Sequence, residues 1–266
     1  MNNTNTRVLY LSHGGGPMPL LGEPGHKELV TTLKIIRGQI KKPSAILVIS
    51  AHWEESQATI TGGMSSSLLY DYSGFPEQAY QIKYPAAGSP TLSDDIYSKL
   101  REKGITTGID TQRGFDHGLF VPLKIMYPEA DIPCVQLSLV NDLDPKAHIK
   151  LGEALAGLAQ ENLLIIGSGF SFHNMAAFFQ GDNLQSKAKN ESFEAWLIET
   201  CSSKLLSEKE RSQRLEQWDK APSARYCHPR EEHLLPLHVC YGVTKQSCDA
   251  VFELTILGKK ASMYLW

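Results

Sequence analysis

The sequence predicts an α/β fold: one domain over residues 1–266, with a central, mostly parallel or mixed sheet flanked by helices and an active site at the carboxyl ends of the strands. Arg7 to Ser12 (RVLYLS) and Ser44 to Ser50 (SAILVIS) are short aliphatic runs ending in small polar residues, as strands buried on both faces of a parallel sheet do. Between them, Gly25 to Ile40 places Leu29, Leu33, Ile36 and Ile40 on one helical face, which makes a strand, helix, strand unit of the right-handed kind. The same alternation recurs downstream, and alternation is the signature of the α/β class.

The remaining elements follow in order. Gln57 to Gly62 (QATITG) reads as a strand. Gly63 to Pro90, rich in Gly, Ser, Pro and Tyr and without a period, reads as a long loop of the sort that lids an active site. Thr91 to Lys103 is helical, with Thr91 as its cap, Leu92, Ile96 and Leu100 at helical spacing, and Gly104 as its stop. Ile132 to Leu139, Asn162 to Ser168 and Ala250 to Leu257 are further strands, and a helix from Lys146 to Ala159 joins the first two. Lys187 to Trp218 mixes charges with Phe193, Trp196 and Leu197, the composition of exposed amphipathic helices rather than a second domain.

Composition narrows the function. The chain is 42% apolar and 21% charged, the balance of an ordinary folded protein. Its net charge of -3 comes from 26 basic and 29 acidic residues with no long block of either sign, which argues against a nucleic-acid partner. The opening Met1 to Arg7 lacks the cationic start and apolar run of a signal peptide, and no later stretch is apolar for long enough to span a bilayer, so a cytoplasmic protein is expected. A homo-oligomer is compatible with all of this. The cysteines, Cys134, Cys201, Cys227, Cys240 and Cys248, are scattered and never paired across two residues, so neither a disulfide framework nor a thiolate metal site is expected, even with Cys227 beside His228. A metal would be held by nitrogen and oxygen.

Four histidines follow strand-like or glycine-rich segments: His13 in SHGGGP, His52 in SAHWE, His117 in FDHGLFVPL and His173 in GSGFSFHN. Residues just beyond different strands of an open α/β sheet converge in space, because the crevice at the carboxyl ends is where ligands bind. Gly14, Gly15 and Gly16 after His13 let the backbone turn tightly near an ion or substrate, and the run has neither the Lys and Ser/Thr of a phosphate loop nor a dinucleotide fingerprint. His13 or His52 taken singly reads equally well as a packed core histidine; the pair points to a ligand set, since neutral imidazole binds iron, copper and zinc.

A third ligand is expected from Cys227 to Pro236 (CHPREEHLLP), which leads into a helix through Leu237 and Val239. Glu232 would complete a two-histidine, one-carboxylate face and His233 an all-nitrogen triad, while Glu231 and Glu232 can also simply favour the positive end of that helix. His117 is either a hydrogen-bond donor in the crevice or a core histidine tied to Asp116, and Asp116 can otherwise orient a neighbouring histidine. Trp53, Tyr72, Phe75 and Phe170 can wall a ligand, although aromatic residues are more often simply core. His26, His148 and His238 lie in helix-like surroundings and are given no role.

SHGGGP, SAHWE, DHGLFVPL, GSGFSFHN and HPREEHLLP occur in order over nearly the whole chain, from Val8 to the terminal strand. In this combination the chain resembles the class III extradiol ring-cleaving dioxygenases, specifically the DOPA-dioxygenase-like branch. The resemblance implies a non-haem Fe(II) site, able also to take Zn(II), with ligands at His13, His52 and His233. It puts His173 at the acid/base position and in some members among the metal ligands, and His117 and His228 against the bound substrate; Trp53 joins them as a candidate substrate contact from its aromatic character alone. A small aromatic diol and O2 are the implied partners. The chemistry agrees: a catechol binding through both oxygens must lose protons, breaking the O–O bond needs one returned, and a histidine near neutral pH can do both. Two other readings share these residues, a zinc hydrolase using the same histidines and a non-catalytic binding module on the same fold.

Overall fold

A computed structural model describes residues 6–65, 67–180 and 183–266. The strands are β1 (Arg7–Ser12), β2 (Ala45–Glu55), β3 (Ala58–Thr61), β4 (Thr107–Asp110), β5 (Cys134–Val140), β6 (Leu163–Gly169), β7 (Ala250–Ile256) and β8 (Lys259–Leu265). They form one sheet in the order β4-β3-β5-β2-β6-β1-β8-β7. The four central strands, β5, β2, β6 and β1, are mutually parallel. β8 runs antiparallel to β1 on one side, and β3 runs antiparallel to β5 on the other, so the sheet is mixed at its margins.

The central strands are covered on both faces, which is why they read as unbroken apolar runs rather than as alternation. Val8, Tyr10, Leu47, Ile49 and Ile165 point into one core, and Leu9, Leu11, Ile46, Val48 and Ile166 into the other. The first core is closed by α2 (Pro90–Glu102), α4 (Pro145–Leu155), α6 (Leu184–Ser202) and α9 (Leu235–Thr244). The second is closed by α1 (Lys27–Gln39) and α3 (His117–Met126). Shorter helices, α5 (Met175–Phe179), α7 (Glu208–Glu216) and α8 (Ala224–Cys227), complete the rim. No helix among the described residues is long and apolar enough to cross a membrane.

The structure corrects several boundaries. α2 begins at Pro90, and its cap is Ser89, whose Oγ accepts from Leu92 N (3.4 Å), because proline at the first helical position leaves the residue before it to cap. Gly104 does stop this helix, at φ 73°. α6 is not an exposed helix: it buries Phe193, Glu194, Leu197 and Cys201 against the body of the domain. α3, β4 and β8 are absent from the sequence reading. The β7–β8 hairpin turns on Leu257 and Gly258, both at positive φ (51° and 81°), as a two-residue turn matched to strand twist requires.

Candidate active site

β1, β6 and β2 lie side by side and parallel, so their carboxyl ends open on the same edge of the sheet. His13 is the first residue past β1, and its N–H donates to Gly169 O at the end of β6 (2.9 Å). His52 lies within β2 rather than after it, since the strand runs on to Glu55 through a register shift between Ile49 and Glu54. An irregularity of this kind re-aims side chains next to a site. His233 comes from the far end of the chain, just before α9, and its carbonyl accepts from Phe170 N (3.0 Å) and Tyr10 OH (3.0 Å). A Cβ on Gly169 would stand 2.1 Å from that carbonyl, so glycine at this position is what admits the His233 backbone to the sheet edge.

These three histidines meet. One ring nitrogen from each lies within 4.8 Å of the others, and His13 Nε2 and His52 Nε2 are 3.1 Å apart. For two of them hydrogen bonds fix which nitrogen is free. Ser168 Oγ donates to Gly118 O (2.5 Å) and must therefore accept from His13 Nδ1 (3.0 Å), which leaves His13 Nε2 as a lone pair. His233 Nδ1 donates to Glu232 Oε1 (2.9 Å), which frees its Nε2 in the same way. His52 turns Nδ1 towards Asp71 Oδ2 at 3.8 Å. Burial, reinforced by the neighbouring imidazoles, holds His13 and His52 well below the usual histidine range and His233 at about 3. Neutral imidazole nitrogens converging at this distance, two of them with lone pairs fixed by their hydrogen bonds, make a donor set that fits one divalent metal ion.

Behind this group stand two carboxylates. Glu232 Oε1 reaches His173 Nδ1 (3.1 Å) as well as His233, and the His173 and His233 rings stack with centroids 3.4 Å apart. Although its own burial opposes ionisation, the hydrogen bonds from both imidazoles hold the Glu232 carboxyl far below the usual range. Asp71, from the long loop, accepts from His117 Nδ1 (2.8 Å) and His117 N (3.0 Å) and is likewise lowered by these bonds against the opposing effect of burial. The imidazoles form the floor of a cleft of about 490 Å³, whose upper walls include Met18, Tyr72, Phe75, Phe170 and Phe179. That volume accommodates a single aromatic ring.

Residues 8–260 match the protein family described as the catalytic LigB subunit of aromatic ring-opening dioxygenase. The chain belongs to this family. It is 40% identical over 256 residues to a protein named dioxygenase tasH from Hapsidospora irregularis, covering 90% of this chain and 78% of that one. It is 39% identical over 247 residues to a 4,5-DOPA dioxygenase extradiol of Beta vulgaris, covering 91% and 88%. A crystal structure of an uncharacterized protein from Escherichia coli K12 superposes with a TM-score of 0.74 at 26% identity, over 97% of this chain and 98% of the other. The protein is thus an extradiol ring-opening dioxygenase, an enzyme of the oxidoreductase class. Neither a hydrolase nor a purely binding role is favoured.

Within this dioxygenase fold, three expected contacts are not made. His228 is fully buried away from the cleft: its Nε2 donates to Ser171 O (2.7 Å) and its ring packs on Phe193 and Trp218. It props the segment carrying His173, whose N–H donates to Cys227 O (2.9 Å). Trp53 faces away from His52, as alternation along a strand dictates; its Nε1 donates to Glu55 (2.9 Å), and the Arg113 guanidinium lies 4.4 Å from its ring. Asp116 does not hold His117. It is fully buried, accepting from Ser50 Oγ (2.8 Å) and from Gln136, and Ser50 Oγ in turn accepts from His52 N (3.2 Å). Tyr72, Phe75 and Phe170 do line the cleft.

Sequence reasoning missed Asp71 and Ser168, because a lone polar residue in a loop or strand gives no periodic signal. It also missed Met18, Met175, Phe178 and Phe179, which line the mouth of the cleft. His26 is structural as expected, and it braces the glycine run: its Nδ1 donates to Glu23 (2.5 Å), so its Nε2 accepts from Gly15 N (2.9 Å). Gly14, at φ 83°, leaves no space for a Cβ against the His26 ring.

Proposed function

We propose that the chain opens a catechol or DOPA-like diol beside its hydroxyls with O2, in the cytoplasm, using Fe(II) held by His13, His52 and His233. The observation that carries this reading is the convergence of three imidazoles on the floor of a cleft sized for one aromatic ring. The bound ion supplies a Lewis-acidic centre at which a diol and dioxygen meet. Zinc lies above iron in the divalent affinity order and takes the same nitrogens in an air-exposed preparation.

His173 serves as the acid/base group. Its Nδ1 is committed to Glu232, which leaves Nε2 to take a proton from a substrate hydroxyl and return it to oxygen. His117, anchored through Nδ1 and its own backbone by Asp71, presents its remaining nitrogen beside His52, with ring centroids 3.8 Å apart, to steady negative charge on oxygen.

The test is anaerobic reconstitution with Fe(II), followed by oxygen uptake and the yellow ring-opened product with catechols. His52→Ala and His233→Ala are expected to lose the metal, and His173→Ala to keep it while ring opening falls at least a hundredfold. Metal-loaded protein that opens no catechol refutes the reading, and equal metal loss in His173→Ala makes His173 a ligand.

A further inference from the structure

The cleft joins two surfaces of opposite chemistry. Its floor is imidazole, whereas its mouth is a collar of Met18, Phe75, Phe170, Met175, Phe178 and Phe179. Among the described residues that line the cleft there is no lysine, arginine, aspartate or glutamate. Part of the collar stands in water: Phe179 is 83% and Met175 53% exposed, although both face the same opening. Exposed apolar side chains grouped at the mouth of a site, rather than scattered, mark a surface that a ligand covers.

We infer that this collar is a subsite for an uncharged, apolar substituent on the catechol ring, so that the preferred substrates are alkyl- or aryl-substituted catechols rather than amino-acid catechols. The inference rests on the proposed ring-opening reading for the placement of the diol at the floor. With the diol there, a substituent on the far side of the ring points out between the aromatic and thioether side chains. An ammonium or carboxylate in that position loses water and finds no ion partner among the described lining residues, whereas each methylene gains roughly fourfold in affinity by leaving water.

The experiment is anaerobic calorimetry of the Fe(II)-loaded protein with catechol, its 4-methyl, 4-ethyl, 4-propyl and 4-butyl derivatives, and DOPA, with ring opening of the same compounds followed in air. Dissociation constants are expected to fall about fourfold per methylene up to propyl, with DOPA binding no tighter than catechol itself. Phe179→Ser and Met175→Ser, both at exposed positions, should flatten the series. A flat series in the native protein, or DOPA binding tighter than 4-propylcatechol, overturns the inference. Because the slope is a binding measurement, it stands apart from catalysis: a steep slope with no ring opened condemns the proposed reaction and not the collar, and ring opening with a flat slope does the reverse.

Discussion

Glu232→Gln isolates the role of the carboxylate behind the metal site. One oxygen of Glu232 accepts from His233 Nδ1 at 2.9 Å and from His173 Nδ1 at 3.1 Å, and the side chain is largely buried. A hydrogen bond to an ionised acceptor contributes about 1 kcal/mol more than its neutral counterpart. Glutamine keeps the shape and removes the charge from both bonds, but only the bond to His233 bears on a proposed metal ligand, a loss of about 1 kcal/mol. Because His233 can donate its Nε2 lone pair well only while its Nδ1–H is so held, the loss falls on the metal-bound form, which corresponds to roughly fivefold in affinity. The assay is competition for Fe(II) or Zn(II) against a chromophoric chelator at pH 7.5, with thermal melting to show that the fold is intact. Glu231→Gln is the control, since its carboxylate pairs only with half-exposed Arg225 (2.6 Å), an interaction of about 0–1 kcal/mol. A dissociation constant within threefold of the native value in a folded Glu232→Gln protein would show that the carboxylate does not tune the ligand.

Acid should destabilise the metal-free protein before any of its ordinary carboxylates titrate. Burial holds His228 and His233 at about 3 and His238 at about 4, against 6.5 for a free imidazole, so between those limits the unfolded chain binds more protons. Stability is therefore full above pH ~6.5 and is lost as pH falls towards the folded values, at about 1.4 kcal/mol per unit for each group. From pH 6.5 to 5.5 the unfolded imidazoles go from half to mostly protonated, so the three together cost about 3 kcal/mol, to be read from urea midpoints; an unchanged midpoint would mean that these rings charge freely. Gly152→Ala places a Cβ 2.1 Å from Val239 O, where α4 crosses α9 and neither backbone can yield cheaply. Overpacking of this kind costs about 3 kcal/mol, or roughly 6–12 °C in Tm for a chain of this size, while metal affinity in the folded protein stays as it was. A Tm within 2 °C of native would show that the helices are free to part.

What was legible in the sequence is what periodicity and small-residue punctuation record. Val8 to Leu11 and Ile46 to Ile49 announce buried strands, and His13 stands out because a strand stops where the glycines begin. α3 was invisible for the opposite reason: Gly118 to Leu123 are buried all round, so no polar face marks a helical period, and Pro122 sits inside. His228 misled because a motif fixes neighbours in sequence, not side-chain direction. It lies five residues before His233, yet the intervening turn sends one ring into the core and the other to the cleft. Asp71 could not be found from spacing, since its partners are 46 residues away at His117 and its loop has no repeat.

The two carboxylates also explain how an all-nitrogen set can hold a divalent ion without crowding it. In the proposed assignment each couples one metal-binding histidine to one that handles protons or oxygen charge: Asp71 approaches His52 and bonds His117, and Glu232 bonds His233 and His173. Three neutral imidazoles leave the charge of a bound ion undiminished. Negative charge hydrogen-bonded behind His233 and 3.8 Å from His52 offsets it while keeping the face toward the cleft open to a diol. The same bonds set the tautomers of His117 and His173, so the positions that need a donor or a base are oriented by the groups that balance the metal. Exchanging either carboxylate for a neutral side chain must therefore disturb metal affinity and proton transfer together, a coupling that a carboxylate bound directly to the ion would not produce.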